Sequence, residues 1–210
     1  MSDSVHLITA IEPQKNRKDR MNIYLDGDFA FGLNQEVVLK HNLHPGDEIE
    51  ERVIDEVLLA EERARAKEKA LFLLSYRPRS IKELKERLKE KGFSERTVKK
   101  VIEDFIRVGL LDDRKFVSDY VHSKMIQKPM GKRMLREELF SKGIDEETAE
   151  RAIDEVYSER SEVDVARDLV HRRAKRYRDD GVKLKKKLSD FLRRRGFDWD
   201  VINTVLQEEK

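Results

Sequence analysis

The sequence predicts a mainly α-helical chain: three tandem three-helix, helix-turn-helix-like repeats in an elongated array, preceded by a small N-terminal β-hairpin module. Three observations carry this. The set Leu84, Leu88, Gly92 and Phe93 returns 51 positions later as Leu135, Leu139, Gly143 and Ile144, and a further 53 later as Leu188, Leu192, Gly196 and Phe197. A single short helix does not bury its apolar stripe stably alone, so recurrence at this period reads as stacked helical units. Charged residues make up 42% and hydrophobic ones 38%, with 7% aromatic, which suits narrow apolar stripes on heavily charged helices. Asp26-Gly27, lying between short alternating apolar runs, is a strong hairpin signal.

Taken in order, Val5 to Ile11 is a β-branched run that reads as a strand, and Met21 to Leu25 and Phe29 to Leu33 read as the hairpin arms. Lys15 to Arg20 reads as a charged loop between the first two strands. Asn34 caps a short helix carrying Val37, Val38 and Leu39, and Pro45-Gly46-Asp47 closes the module with a turn. Three strands this short are marginal alone, so the module is expected to pack on the helix that follows. From about Arg52 to Ser75 there is no Gly or Pro, and Val53, Val57, Ala60, Ala64, Leu71 and Leu74 fall at helical spacing, ending before Pro78. Ser80 and Glu83 form a capping box for a second helix with Ile81, Leu84 and Leu88 on its apolar face. Gly92 ends it in the manner of a left-handed C′ residue. Ser94 opens a third helix bearing Val98, Val101, Ile102 and Phe105, which Gly109 ends.

The same three-helix order then recurs. Asp112-Asp113 opens a helix with Phe116, Val117, Tyr120, Val121 and Lys124 on one side, and Pro129 precedes Leu135 by six residues, as Pro78 precedes Leu84. Asp145 caps the helix of Ala149, Ile153 and Val156; Asp198 caps that of Ile202, Val205 and Leu206. Asp179-Asp180-Gly181 stands where the first two copies have proline. The expected modules are 1–50, β-rich; 51–109 and 110–162, the first two repeats; and 163–210, a basic third repeat, each repeat having its own small core.

Several function classes are excluded at this level. With no cysteine there is neither a disulfide framework nor a thiolate metal site. Met1 to Glu12 lacks a signal-peptide pattern, and no apolar run approaches the roughly 18 residues of a membrane span, so a cytoplasmic chain with no membrane contact is expected. His41 and His44 lie within one helical turn but have no third ligand in register, so no metal site is expected. The acids alternate with Lys and Arg on solvent faces, where i,i+4 pairing accounts for them, and no phosphate-binding loop, dinucleotide fingerprint or nucleophile elbow occurs. The expectation is no enzyme and no cofactor. Phe93, Phe105, Phe116, Tyr120 and Tyr157 fall at apolar registers and read as packing; Trp199 is the exception, because Phe197 already fills the position after the repeat glycine.

Charge supplies the candidate interface. The net charge is only +2, but Val165 to Lys210 holds 14 Lys+Arg against 8 Asp+Glu, and Arg167 to Arg195 holds 13 against 4. The candidate residues are Arg172, Arg173, Lys175, Arg176, Lys183, Lys185, Lys186, Lys187, Arg193, Arg194 and Arg195, with Lys132 and Arg133 from the second repeat. Lys185, Lys186 and Lys187 fan over about 200° of a helix, so they project outward around Leu184 and Leu188. Cations at this density suit phosphate backbones without base reading, and suit an acidic protein groove equally.

Gly109-Leu110-Leu111-Asp112-Asp113-Arg114-Lys115-Phe116-Val117, then Gly131, Leu135-Arg136-Glu137-Glu138-Leu139 and Lys142-Gly143-Ile144 resemble the signature of the RecX regulatory protein family. Ala70-Leu71-Phe72-Leu73-Leu74, Arg77-Pro78-Arg79-Ser80 and the Gly196-Phe197 close agree with it. The resemblance runs from about Arg65 to the C-terminus, leaving the β module as a departure. It implies a monomeric, non-enzymatic bacterial protein that binds the RecA recombinase and lies in the groove of its filament on single-stranded DNA. There it would modulate, chiefly inhibit, strand exchange, ATP hydrolysis and coprotease activity, touching the DNA indirectly or weakly. The rival reading is a direct DNA-binding helix-turn-helix protein acting without RecA. Glu83, Glu86, Glu90, Glu137 and Glu138 on the second helices of the first two repeats are poor company for phosphates in that reading.

Overall fold

The computed structural model describes residues 4–175 and 181–208. Within them the chain forms β1 (Val5–Gln14), β2 (Arg17–Leu25), β3 (Asp28–Asn34), α1 (Gln35–Lys40), β4 (Glu48–Glu50), α2 (Glu51–Tyr76), α3 (Ile81–Glu90), α4 (Glu95–Arg107), α5 (Asp113–Gln127), α6 (Lys132–Ser141), α7 (Glu146–Glu159), α8 (Glu162–Ala174), α9 (Gly181–Arg194) and α10 (Trp199–Glu208). The predicted class, three three-helix repeats behind an N-terminal antiparallel sheet, is what these elements make. They divide into two compact units, one of residues 1–78 and 84–110, the other of residues 79–83 and 111–210.

In the first unit the sheet has four strands in the order β3-β2-β1-β4, not three. The additional strand, β4, is only three residues long and pairs antiparallel with Val5 to Leu7. The supposed loop Lys15 to Arg20 is a second correction: only Lys15 and Asn16 turn, and Arg17 to Arg20 belong to β2. These charged residues are held in a strand because their partners lie opposite. Arg20 Nη1 is 2.6 Å from Glu61 Oε1, and Arg17 Nη2 is 3.1 Å from Glu68 Oε1, both on α2. Asp26 and Gly27 both take positive φ, +51° and +96°, as the tight β2–β3 turn requires.

Asn34 caps α1 by accepting the Glu36 N–H, burying Val37 and Val38 while Leu39 stays 70% exposed. The sheet and α1 pack on the first half of α2 around Ile8, Ile23, Leu33, Ile49 and Val57, as a module too small to stand alone must. Glu61 is 5% exposed inside this contact; its second oxygen accepts the Asn34 N–H at 2.6 Å, so both ends of the buried carboxylate are satisfied. Further along α2 the stripe differs from the prediction: Ala66 and Ala70 are buried and Leu71 is 49% exposed, because the packed face rotates as α2 passes from the sheet to α4. Leu84 and Leu88 of α3 and Val98, Val101, Ile102 and Phe105 of α4 are buried. Glu62 closes the start of α4, accepting from the Ser94 N–H and Oγ and from Thr97 Oγ1.

The second unit departs from one small core per repeat. Phe116, Val117 and Val121 of α5, Leu135 and Leu139 of α6, Ile153 of α7, Leu169 and Val170 of α8, Leu188 and Leu192 of α9 and Ile202 and Val205 of α10 belong to one continuous cluster. The two repeats merge through a close junction. Gly131, at the start of α6, donates its N–H to the Arg195 carbonyl at 2.8 Å, and a Cβ on Gly131 would lie 2.3 Å from the Gly196 carbonyl oxygen. Arg133 Nη2 donates to the Arg193 carbonyl at 2.9 Å.

The same junction occurs one repeat earlier, where residues 79–83 of the second unit meet the end of α6. Ser80 Oγ donates to the Lys142 carbonyl at 2.7 Å, Lys82 Nζ donates to the Ser141 carbonyl at 3.0 Å, and a Cβ on Gly143 would lie 2.7 Å from the Lys82 side chain. Each junction also receives a carboxylate. Asp113, first residue of α5, accepts the Ile81 N–H at 2.8 Å, and Glu162, first residue of α8, accepts the Lys132 N–H at 2.9 Å. Burial of these carboxylates raises both pKa values despite the hydrogen bonds. Asp179 and Asp180, read as the third repeat's substitute for proline, lie outside the described residues.

Candidate functional site

The candidate cations separate into two groups, those spent on the fold and those presented outward. Lys132 Nζ lies 3.1 Å from Asp154 Oδ1 and over the Tyr157 ring, and Arg133 is tied to the junction and to Glu137. Lys185 Nζ donates to the Leu206 carbonyl at 2.9 Å, neutralising the end of α10. Arg193 Nη2 pairs with Asp190 at 3.1 Å. Arg195 Nη1 donates to the Pro129 carbonyl at 3.1 Å, so this guanidinium holds α9 against the end of α5.

Lys175, Lys183, Lys186 and Arg194 are exposed, and their side chains meet no hydrogen-bond or ion-pair partner among the described residues. Lys187 is exposed as well, and among the described residues the one hydrogen bond of the Arg172 side chain is to the Asp168 carbonyl of its own helix. Leu184 is half-buried and Leu188 1% exposed, which confirms that the three consecutive lysines project around an apolar stripe. Arg176 lies outside the described residues.

Between α5, α8 and α9 these groups converge on a recess of about 300 Å³ lined by Gln127, Lys128, Pro129, Leu169, Arg172, Arg173, Phe191 and Arg195. Four of the eight are cations and none is an acid. The Arg173 and Arg195 guanidiniums lie 5.0 and 5.4 Å from the centre of the Phe191 ring. Burial, and secondarily the charge of Arg173, push the Arg195 pKa down. Guanidinium stays protonated regardless, so the cost of these neighbouring charges is borne by the fold and is relieved by any anion that enters. A phosphate oxygen or a carboxylate meets the requirement equally.

Sequence reasoning missed Lys128 and Phe191 as members of this recess. Phe191 follows Leu188 by three positions and reads as core; in the fold it is half-buried as the platform on which two arginines rest. Lys128 carried no signal beyond its position before Pro129. The aromatic assignments hold for Phe105, Phe116 and Tyr157, which are buried, while Trp199 is 70% exposed. His41 and His44 sit at the end of α1 and in the turn after it, His44 3.6 Å from Asp47. Among the described residues no three His, Cys, Asp or Glu side chains converge as a metal-holding group, and no helix is long and apolar enough to cross a membrane.

Of Glu83, Glu86, Glu90, Glu137 and Glu138, the acids that weighed against a helix-turn-helix reading of DNA, Glu90 pairs with Arg87 at 2.7 Å and Glu83, Glu137 and Glu138 are engaged as well. Glu83 completes the capping box with Ser80 and pairs with Lys142 at 2.8 Å, and Glu137 pairs with Arg133. Glu138 lies 2.9 Å from Lys124 and accepts from Tyr120 Oη, whose pKa burial pushes up to about 12.

Family models match the chain in sequence order: a regulatory protein RecX N-terminal domain over residues 6–50, and the first, second and third RecX three-helix domains over 66–105, 112–153 and 161–206. The N-terminal sheet is therefore part of the likeness, which corrects its reading as a departure. The chain is 30% identical over 205 residues to regulatory protein RecX of Clostridium acetobutylicum, covering 96% of this chain and 95% of the relative. It is 34% identical over 210 residues to that of Bacillus licheniformis, covering 96% and 76%. A crystal structure of regulatory protein RecX superposes with a TM-score of 0.75 at 29% identity, over 95% of this chain and 98% of that one.

Proposed function

The chain belongs to the RecX regulatory protein family, and from that premise we propose that it binds the RecA recombinase on its nucleoprotein filament and inhibits strand exchange, ATP hydrolysis and coprotease activity. It acts in the cytoplasm as a monomer, without catalysis or cofactor, and contacts single-stranded DNA weakly. The modules 1–50, 51–109, 110–162 and 163–210 divide the work, with the third repeat making the electrostatic contact.

One observation supports placing that contact on the third repeat. Arg172, Arg173 and Arg195, with Lys128, line one recess, no acid standing among its described lining residues, and Lys175, Lys183, Lys186 and Arg194 stand exposed without partners among the described residues. The exposed Lys175, Lys183, Lys186 and Arg194 are available to an anionic groove, whether its charge comes from acidic filament residues or from the phosphates the filament carries. Lys132, Arg133, Lys185 and Arg195 serve the fold first, which narrows the interface to the outward group.

The test is charge reversal confined to that group: Arg172→Glu, Lys183→Glu, Lys186→Glu and Arg194→Glu together. The variant is expected to keep its helical content and lose most inhibition of RecA-promoted strand exchange. Undiminished inhibition by a folded variant would overturn the basic face. A parallel titration on duplex DNA across salt concentrations addresses the rival: tight, sequence-selective binding without RecA would favour a direct DNA reader.

A further inference from the structure

The first unit holds a second groove, built from three separate elements. On α2, Arg65, Glu68, Lys69 and Phe72 fall at i, i+3, i+4 and i+7 and so share one face. Arg17 comes from the start of β2, and Lys91 and Phe93 flank the glycine that ends α3. These seven residues line a single open groove. Every one is a cation, an acid or a phenylalanine; there is no aliphatic side chain.

The acid does not offset the cations there. Glu68 is held by Arg17, whose Nη2 also lies 2.9 Å from Asp19. Arg65 has electrostatic contact with Glu62, but that carboxylate is occupied by Ser94 and Thr97. Lys91 has no side-chain partner among the described residues. Arg65, Lys69 and Lys91 thus present surplus positive charge. Lys69 Nζ stands 4.7 Å over the Phe72 ring, and Phe72 is still 63% exposed. A phenyl ring so exposed does little for the fold, and Phe93 beside it is half-buried.

We propose that this groove, with Phe72 and Phe93 as its platform and Arg65, Lys69 and Lys91 around it, binds single-stranded nucleic acid. Ring faces stack on unpaired bases without regard to sequence, and ammonium and guanidinium groups meet the phosphates between them. A duplex hides its base faces and does not fit this chemistry. An amphipathic acidic peptide would need an aliphatic pocket for its anchors, and the described lining residues include no aliphatic side chain.

The experiment uses the full chain and fluorescein-labelled oligothymidylate of about 20 nucleotides, followed by anisotropy without RecA. Phe72→Leu keeps apolar bulk but removes the ring face; it is expected to weaken binding by about 5- to 100-fold, and Phe72→Trp to preserve it. Arg65→Glu with Lys91→Glu is expected to flatten the log–log salt dependence by at least about 1.4. Photocrosslinking with 5-iodouracil in the oligonucleotide is expected to label peptides containing 65–76 or 91–93. Wild-type affinity in Phe72→Leu, crosslinks confined to other segments, or no binding would each overturn the assignment. Polyglutamate that binds as tightly and responds equally to Phe72→Leu would assign the groove to an acidic protein and overturn it as well. The groove specifies where the weak single-stranded DNA contact of the proposed function is made and rests on that part of it; because RecA is absent, failure here leaves the binding of RecA itself untouched.

Discussion

Replacing Gly196 by alanine is expected to destabilise the second unit far more than replacing Gly92 destabilises the first, although the two glycines hold the same repeat position. Both take a left-handed backbone, φ +84° at Gly92 and +82° at Gly196, which costs an alanine about 1–2 kcal/mol. Around Gly92 a Cβ would meet nothing within 4 Å, so the cost stops there. At Gly196 it would lie 2.3 Å from Met134 Cβ and 2.5 Å from the Met134 backbone nitrogen. Backbone cannot rotate aside, and forced overpacking adds about 1–3 kcal/mol, giving about 2–5 kcal/mol in all. Gly131 isolates the second effect. Its φ of −75° suits any residue, but its Cβ would meet the Gly196 carbonyl and the Phe197 nitrogen, so Gly131→Ala bears the steric cost of about 1–3 kcal/mol alone. Urea unfolding read by the single tryptophan, Trp199, reports the second unit, and circular dichroism reports both. The expected order of loss is Gly196→Ala, then Gly131→Ala, with Gly92→Ala leaving the tryptophan transition in place. Equal losses for Gly92→Ala and Gly196→Ala, or a Gly131→Ala variant within about 0.5 kcal/mol of the parent, would refute the junction as the reason for these glycines.

Glu61→Ala leaves the Arg20 guanidinium and the Asn34 N–H without their buried partner; a loss of about 3–5 kcal/mol in the first unit is expected by denaturation, and Arg20→Met with Glu61→Leu is expected to recover most of it. Glu162, whose pKa burial raises above its ordinary 4.5, binds its proton more tightly folded than unfolded, so its contribution is greatest below that value and is lost as pH rises through the folded pKa. Glu162→Gln keeps an acceptor for the Lys132 N–H without the charge, so its melting temperature relative to the parent is expected to be higher at pH 7 than at pH 4. A pH-independent difference would contradict the assignment.

The period of the fold was legible in the sequence because each repeat closes with a glycine that local backbone geometry demands. The junctions were not. The Gly131 N–H and the Arg195 carbonyl are 64 residues apart, and nothing local marks Gly131 as selected for close approach, or Gly196 as selected for close approach as well as for positive φ. β4 escaped notice because three residues, Glu48 to Glu50, carry too little alternation to distinguish a strand from the turn before it. The charged start of β2 read as loop because its ion-pair partners lie on a helix met only later in the chain. Within the candidate site the density of cations was legible but their allocation was not. Lys185 and Lys186 are adjacent in sequence, yet the first caps α10 and the second faces solvent. Phe191 reads as a core position and serves as the floor beneath two arginines.

The most direct test of the functional reading is RecA-catalysed ATP hydrolysis on single-stranded DNA, titrated with the full chain. The account predicts a concentration-dependent fall in hydrolysis, markedly weaker for the Arg172, Lys183, Lys186 and Arg194 reversal. A hydrolysis rate unchanged across a wide range of concentration would contradict it.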